Sequence, residues 1–162
     1  NFKSRRAEEG EALAELIGQH PEWRTAIWAS YGGVEPTEAS VERIAGLKGL
    51  TRRSMIDCLV GYELTGWTGM IPDGCRDTIV MVPSNLAWIA WGWPHKFTRR
   101  MEKAGSTAIL VGPFEDGDIG TSGIDSPGQL KAVPKGFAGY GWTNRIEIIG
   151  PELANRLERQ GR

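Results

Sequence analysis

The polar run Thr143-Asn144-Arg145 in "GYGWTNRIEIIGPEL" follows a small, aromatic stretch and leads into a helical one. A hydroxyl, an amide and a guanidinium in succession can hold an anion and hydrogen-bond a polyol. Such groups belong at the carboxyl end of a barrel strand, where α/β enzymes keep their chemistry. Polar residues also stand wherever a strand runs out towards solvent, so one such run decides little. The pattern recurs, however. Lys3, Ser30 and Tyr31, Arg52 and Arg53, and Ser84 and Asn85 each close an apolar segment. If these ends converge, Lys3, Arg52, Arg53 and Arg145 form a cationic mouth suited to an anion. Alternation along a strand puts Asn1 and Lys3 on one face, and Tyr140, Trp142 and Asn144 likewise on one face.

Other chemistry-bearing sets are weaker. His20, in "GQHPEW", and His95, after Trp93-Pro94, have no companions at metal spacing and read as surface histidines. No Gly-x-Ser-x-Gly nucleophile elbow occurs. Asp116, Asp118 and Asp125 in "EDGDIGTSGID" have a superficial likeness to a calcium loop, but lack the terminal glutamate of an EF-hand and read as a flexible rim loop. Trp88 and Trp91, three apart in "AWIAWGWP", are expected on the core-facing side of a helix rather than as an interfacial anchor. Trp93, beside Pro94, is harder to bury and is expected to line the rim.

The elements that must position these residues alternate along the chain. "NFK" reads as a strand tail. "AEEGEALAELIG" is a helix with Ala12, Leu13, Leu16 and Ile17 on one stripe and acidic residues in its first turn. "RTAIWASY" and "PTEASVERIAGLKG" make the next strand and helix; "LTRRS" and "MIDCLVGYELTG" follow. "DTIVMVPSN" precedes a long helical stretch, "LAWIAWGWPHKFTRRMEKAG", that Pro94 kinks or interrupts. "STAILVGP" leads to "SPGQLKAV", with a Ser cap and Pro at the first helical position. "AGYGWTN" and "GPELANRLERQ" close the series. Fully apolar strands such as "TIVMV" and "TAILV" argue for parallel sheet covered by helices. No glycine-rich phosphate loop follows any strand, which weakens a nucleotide-binding open sheet. A complete (β/α) barrel takes about 250 residues and eight units. Six units in 162 residues therefore lead to the expectation of an incomplete TIM-type barrel forming a single domain, 1–162.

Composition bounds the partners. Hydrophobic residues are 40% and charged ones 24%, ordinary for a globular chain, and a net charge of −1 offers no basic stripe for nucleic acid. No apolar run reaches the ~18 residues needed to span a bilayer. Cys58 and Cys75 are too few for a disulfide framework, so a reduced interior with both thiols free is the default expectation; the compartment stays open, with cytoplasmic ahead of periplasmic. The first residues, "NFKSRR", lack an initiator Met and a charged-then-apolar leader; a removed signal or a missing beginning is expected.

Three segments together carry a resemblance: "VPSNLAWIAWGWPHKFTRRMEKAGSTAILVGP", "SGIDSPGQL" and "GWTNRIEIIGPEL". They resemble the carboxyl-terminal part of bacterial glycerophosphodiester phosphodiesterases, and "NFK" resembles that family's third-strand pattern of carboxylate, apolar residue and lysine. The likeness runs from "NFK" through the whole chain and is strongest after Asp77. It implies a (β/α)₈ barrel of which this chain holds strands three to eight. It also implies metal-assisted hydrolysis of a glycerophosphodiester to glycerol 3-phosphate and an alcohol. Lys3 matches the lysine that contacts the phosphodiester. Trp142 would wall the glycerol pocket, Asn144 would hydrogen-bond there, and Arg145 would join them in binding substrate. The family's divalent metal, Ca²⁺ or Mg²⁺, would find only Asn1 where the third-strand carboxylate stands, a neutral and weaker ligand. The family's acid and base histidines and its second-strand carboxylates would lie before Asn1, so the resemblance assigns no catalytic residue within this chain. The chain alone is then expected to be inactive and to self-associate through exposed barrel edges. A reading from a different class is a non-catalytic barrel module that binds a phosphorylated polyol or lipid headgroup.

Overall fold

A computed structural model describes residues 1–115 and 122–160. Among these residues eleven helices and strands alternate. Helix α1 (Ala7–Gln19) carries Glu8 and Glu9 in its first turn, where the helix dipole favours anions. Its inward face is Gly10 and Ile17, with Leu13 and Ala14 partly buried. Ala12 and Leu16, expected on the inward stripe, are exposed. The face is set by Gly10, because α1 lies so close to α2 (Val34–Arg43) that a Cβ there would collide with the Pro36 carbonyl.

Strand β1 (Ala29–Gly32) and β2 (Lys48–Thr51) pair in parallel, with Ala29 opposite Lys48 and Gly32 opposite Thr51. Arg24, Thr25 and Ala26, expected to begin a strand, instead end a run of 3₁₀ turns over Pro21–Ala26. Arg52 and Arg53, expected at the end of a strand, are the first two residues of helix α3 (Arg52–Thr65). Thr51 caps that helix through a reciprocal pair with Ser54, so the strand ends one residue before the arginines.

The second sheet has the order β3 (Ile79–Pro83), β4 (Thr107–Val111) and β5 (Tyr140–Gly141), all parallel. Helix α4 (His95–Lys103) packs on β4. Helix α5 (Pro127–Ala132) has a capping box between Ser126 and Gln129, and contacts α6 (Ile146–Gln160). The main core joins Tyr62 of α3, Phe97 and Met101 of α4, and Val80, Val82 and Leu110 of the sheet, all at most 2% exposed.

The expected incomplete barrel of six strand units does not form. Among the described residues there are two small sheets, of two and three strands, and no barrel is closed. Three local choices explain the difference. "NFK" contributes one isolated bridge, Phe2 to Gly32, and "AGYGWTN" only a two-residue strand. Between β2 and β3 there is a single bridge, Gly49 to Thr78. There the Gly49 carbonyl takes the Thr78 hydroxyl at 2.6 Å, while the Thr78 N–H goes to the Ser106 hydroxyl at 3.0 Å. Those groups are then spent on side chains rather than on a ladder.

Two further expectations are corrected. Cys58 and Cys75 are not free thiols: they form a disulfide, buried at 0% exposure, that ties α3 to the turn before β3. The tryptophan segment is no kinked helix, because Ala87–Ile89 is a 3₁₀ turn and α4 begins only at His95. Trp88 is 76% exposed as a result, and Trp91 is exposed too, while Trp93 packs against Phe97 and Phe137 rather than on the rim. Helical spacing put Trp88 and Trp91 inside; without the helix that spacing has no force. Among the described residues, no helix is long and apolar enough to cross a membrane.

Candidate functional site

A cavity of about 730 Å³ opens beside β1 and β2. Its apolar wall is Leu50, Met55, Ile79, Met81 and Ile109. Its polar groups come from where strands end: Asn1 beside Gly32, Thr51 and Arg52 after β2, and Trp142 and Asn144 after β5. Gly32 has a φ of +113°, and a Cβ there would strike the Phe2 carbonyl, so only glycine lets the chain start lie this close to β1. The volume suits a small organic ligand, and the mix of apolar wall and few polar groups is that of a binding site.

The site reading places its residues unequally. Asn1, Trp142 and Asn144 come together in the cavity lining; Lys3 and Arg145 are exposed and lie outside it. Arg145 turns instead to Glu147, with Nε 2.6 Å from Oε1. That hydrogen bond raises the guanidinium's pKa and lowers the carboxyl's. Of the four cations expected to share a mouth, Arg52 alone lines the cavity. Among the described residues, Lys3, Arg52 and Arg53 have neither a hydrogen-bonding partner for their side chains nor an ion pair.

Trp142 is held by its backbone. Its N–H donates to the Leu110 carbonyl at 2.9 Å, and its own carbonyl accepts from the Ile124 N–H at 2.8 Å. Its indole Nε1 is hidden from solvent and has no partner among the described residues. A buried donor without an acceptor costs free energy until something accepts from it.

Asp125 organises the end of this strand, a role no sequence signal revealed. Its Oδ1 accepts from the Thr143 hydroxyl at 3.0 Å and the Asn144 N–H at 2.7 Å, and its Oδ2 from the Asn144 amide at 3.1 Å. The Thr143 hydroxyl in turn accepts from the Arg145 N–H at 2.9 Å. Desolvation pushes the Asp125 carboxyl up, but the bonds from Asn144 and Thr143, with the Arg145 charge, outweigh it and hold the pKa below its ordinary value. Asp125 therefore fixes the polar run rather than holding a cation. Asp116 and Asp118 lie outside the described residues.

The donor set does not fit a hard divalent cation. Asn1 and Asn144 bring amides to the cavity, and no carboxylate or histidine is among its lining residues. Among the described residues no three of His, Cys, Asp and Glu gather as a metal group elsewhere. His20 stacks on Trp23 with ring centroids 4.1 Å apart, and His95 opens α4.

No protein-family model matches this chain, and neither curated proteins nor solved structures give a significant match. The likeness to glycerophosphodiester phosphodiesterases therefore rests on the sequence segments that carry it.

Proposed function

We propose that this chain forms the substrate-binding part of a phosphoric diester hydrolase that cleaves glycerophosphodiesters to glycerol 3-phosphate and an alcohol. The observation that carries the proposal is Arg52, a guanidinium without a partner at the edge of a largely apolar cavity. A cation there attracts a phosphodiester, and low-dielectric walls strengthen the attraction. The neighbouring groups suit the rest of the ligand. Trp142 gives a flat apolar wall for the glycerol carbons and an indole N–H in need of an acceptor. Asn144, pinned by Asp125, faces the same cavity with Asn1. The sequence resemblance supplies the reaction class and adds Lys3, which lies outside the cavity lining, as a second phosphate contact. In this proposal the part played by these residues is binding: they hold the phosphodiester and the glycerol.

One observation favours the second reading, a module that binds a phosphorylated polyol or lipid headgroup without chemistry: the cavity lining holds no carboxylate or histidine. Both readings require the same anion site.

The test is a titration of glycerol 3-phosphate and glycerophosphocholine followed by calorimetry and by melting temperature. Binding should raise the melting temperature by linkage. Loss of a hydrogen bond to a charged group costs about 1.5–3 kcal/mol, so Arg52→Gln should weaken binding roughly 10- to 100-fold. Lys3→Ala should weaken it less, and Lys131→Ala on α5 should leave it unchanged. Equal losses in all three variants would reveal general ionic attraction and end the proposal of a site. Turnover of glycerophosphocholine favours the hydrolase, and binding without turnover favours the module.

A further inference from the structure

A second, more apolar groove of about 410 Å³ lies on the other side of Met55 and Met81, which line both cavities. Its far wall includes Ile56, Val60 and Leu64, spaced four residues apart along α3, and Phe114 after β4. These side chains are 36–69% exposed, and nothing among the described residues covers them. Helix α3 thus carries an unpaired cation at its first residue, in the first cavity, and an open apolar stripe along the groove. The two spaces meet at methionines, whose unbranched side chains adapt to what lies between them.

We propose that the groove holds the hydrocarbon chain of a single-chain glycerophospholipid whose phosphodiester sits at Arg52. The inference rests on the phosphodiester reading of the first cavity and names the kind of substrate it takes. The two cavities share Met55 and Met81 as a common wall, and that adjacency selects this occupant. A ligand with an anionic head and one apolar tail fills both, whereas a deacylated glycerophosphodiester leaves the groove empty. The size of the groove is within the range of small-ligand sites, about 300–1,000 Å³. Its walls have almost no polar groups besides Glu63 and the Tyr62 ring, so an alkyl chain loses no hydrogen bonds on entry.

Calorimetry of the intact chain with glycerophosphocholine, and with hexanoyl, octanoyl and decanoyl lysophosphatidylcholine below their micelle concentrations, tests this. Each buried methylene is worth about 0.8 kcal/mol, so affinity should rise about fourfold per methylene. Val60→Asp should flatten that dependence while leaving glycerophosphocholine binding unchanged, with a thermal melt confirming that it folds. Leu64→Ser, at an exposed position, should do the same more weakly. Arg52→Gln should weaken every member of the series by a similar factor. A flat series with intact glycerophosphocholine binding overturns the groove but leaves the head site standing. A neutral alkyl glucoside that binds as tightly as the lysolipid of equal chain length overturns the joint head-and-tail site. A dimer that dissociates on Val60→Asp, with a flat series, assigns the groove to a second copy and also overturns it. Failure to bind any of these compounds removes both this inference and the phosphodiester reading.

Discussion

The two ends of the strands use polar side chains in opposite ways. At the amino ends they are tied to one another. Lys48 of β2 reaches Thr107 of β4 at 2.7 Å, and Thr78 holds the Gly49 carbonyl. The Ser106 hydroxyl accepts from the Thr78 N–H while donating to the Cys75 carbonyl at 2.7 Å. At the carboxyl ends, Arg52 and the Trp142 indole have no such partner among the described residues. Thr51, paired with Ser54, Asn85, paired twice with the Phe114 backbone, and the Asp125 network are exceptions. Satisfied polar groups stabilise a fold, and unsatisfied ones leave free energy available to a ligand. The comparison teaches that one end of this parallel arrangement holds the chain together while the other is left open for binding. That division agrees with the general location of ligands in open α/β sheets.

The largest effect is expected from the disulfide at the amino end. It closes a loop with a sequence separation of 17, and its removal in a Cys58→Ala, Cys75→Ala double variant should cost about 3 kcal/mol. The melting temperature should fall by roughly 6–12 °C. A dithiothreitol melt of the unaltered chain should fall similarly, while glycerol 3-phosphate affinity stays the same in the variant. A large loss of affinity would break the division between the two ends.

Ser106→Ala comes next, since it leaves the buried Thr78 N–H and Cys75 carbonyl without their shared partner. A loss of about 1–3 kcal/mol in urea unfolding is expected, again without loss of ligand affinity. A neutral result would show that water or a small shift satisfies both groups.

Trp142→Phe should show the reverse. The lost ring volume destabilises, but removal of a donor without a partner offsets it, so stability should change by less than about 1 kcal/mol. Loss of a hydrogen bond worth about 1 kcal/mol should weaken glycerol 3-phosphate binding roughly fivefold. If stability falls and affinity holds, Trp142 belongs with the structural end.

The smallest effect concerns acid. The folded pKa of Asp125 is depressed, so its contribution is complete above the unfolded carboxylate value, near pH ~4. It is lost as pH falls through the folded value. Unfolding free energy measured against pH should therefore fall less steeply below about pH 4 in Asp125→Asn than in the parent chain. The same slope in both would detach Asp125 from the stability of the Thr143–Arg145 run.

Much of the local structure was legible in the sequence because its causes are local. Ser126-Pro127 with Gln129 announces α5, and the unbroken apolar runs announce β3 and β4 as parallel strands. Alternation put Trp142 and Asn144 on one face, and they line one cavity together with Asn1. The remainder depended on contacts between distant residues. Gly10 selected the inward face of α1 by meeting Pro36, and Thr51 paired with Ser54 to give Arg52 to α3 rather than to a strand. Competition by the Thr78 and Ser106 hydroxyls left one bridge where a continuous ladder was expected. Asp125 came to Asn144 across 19 residues, while Arg145 was taken up by Glu147, two residues away. Sequence determined which polar groups were available and where helices and strands could begin. Tertiary structure decided which of those groups were spent on the fold, because a donor or acceptor satisfied by a neighbour is no longer available to a ligand.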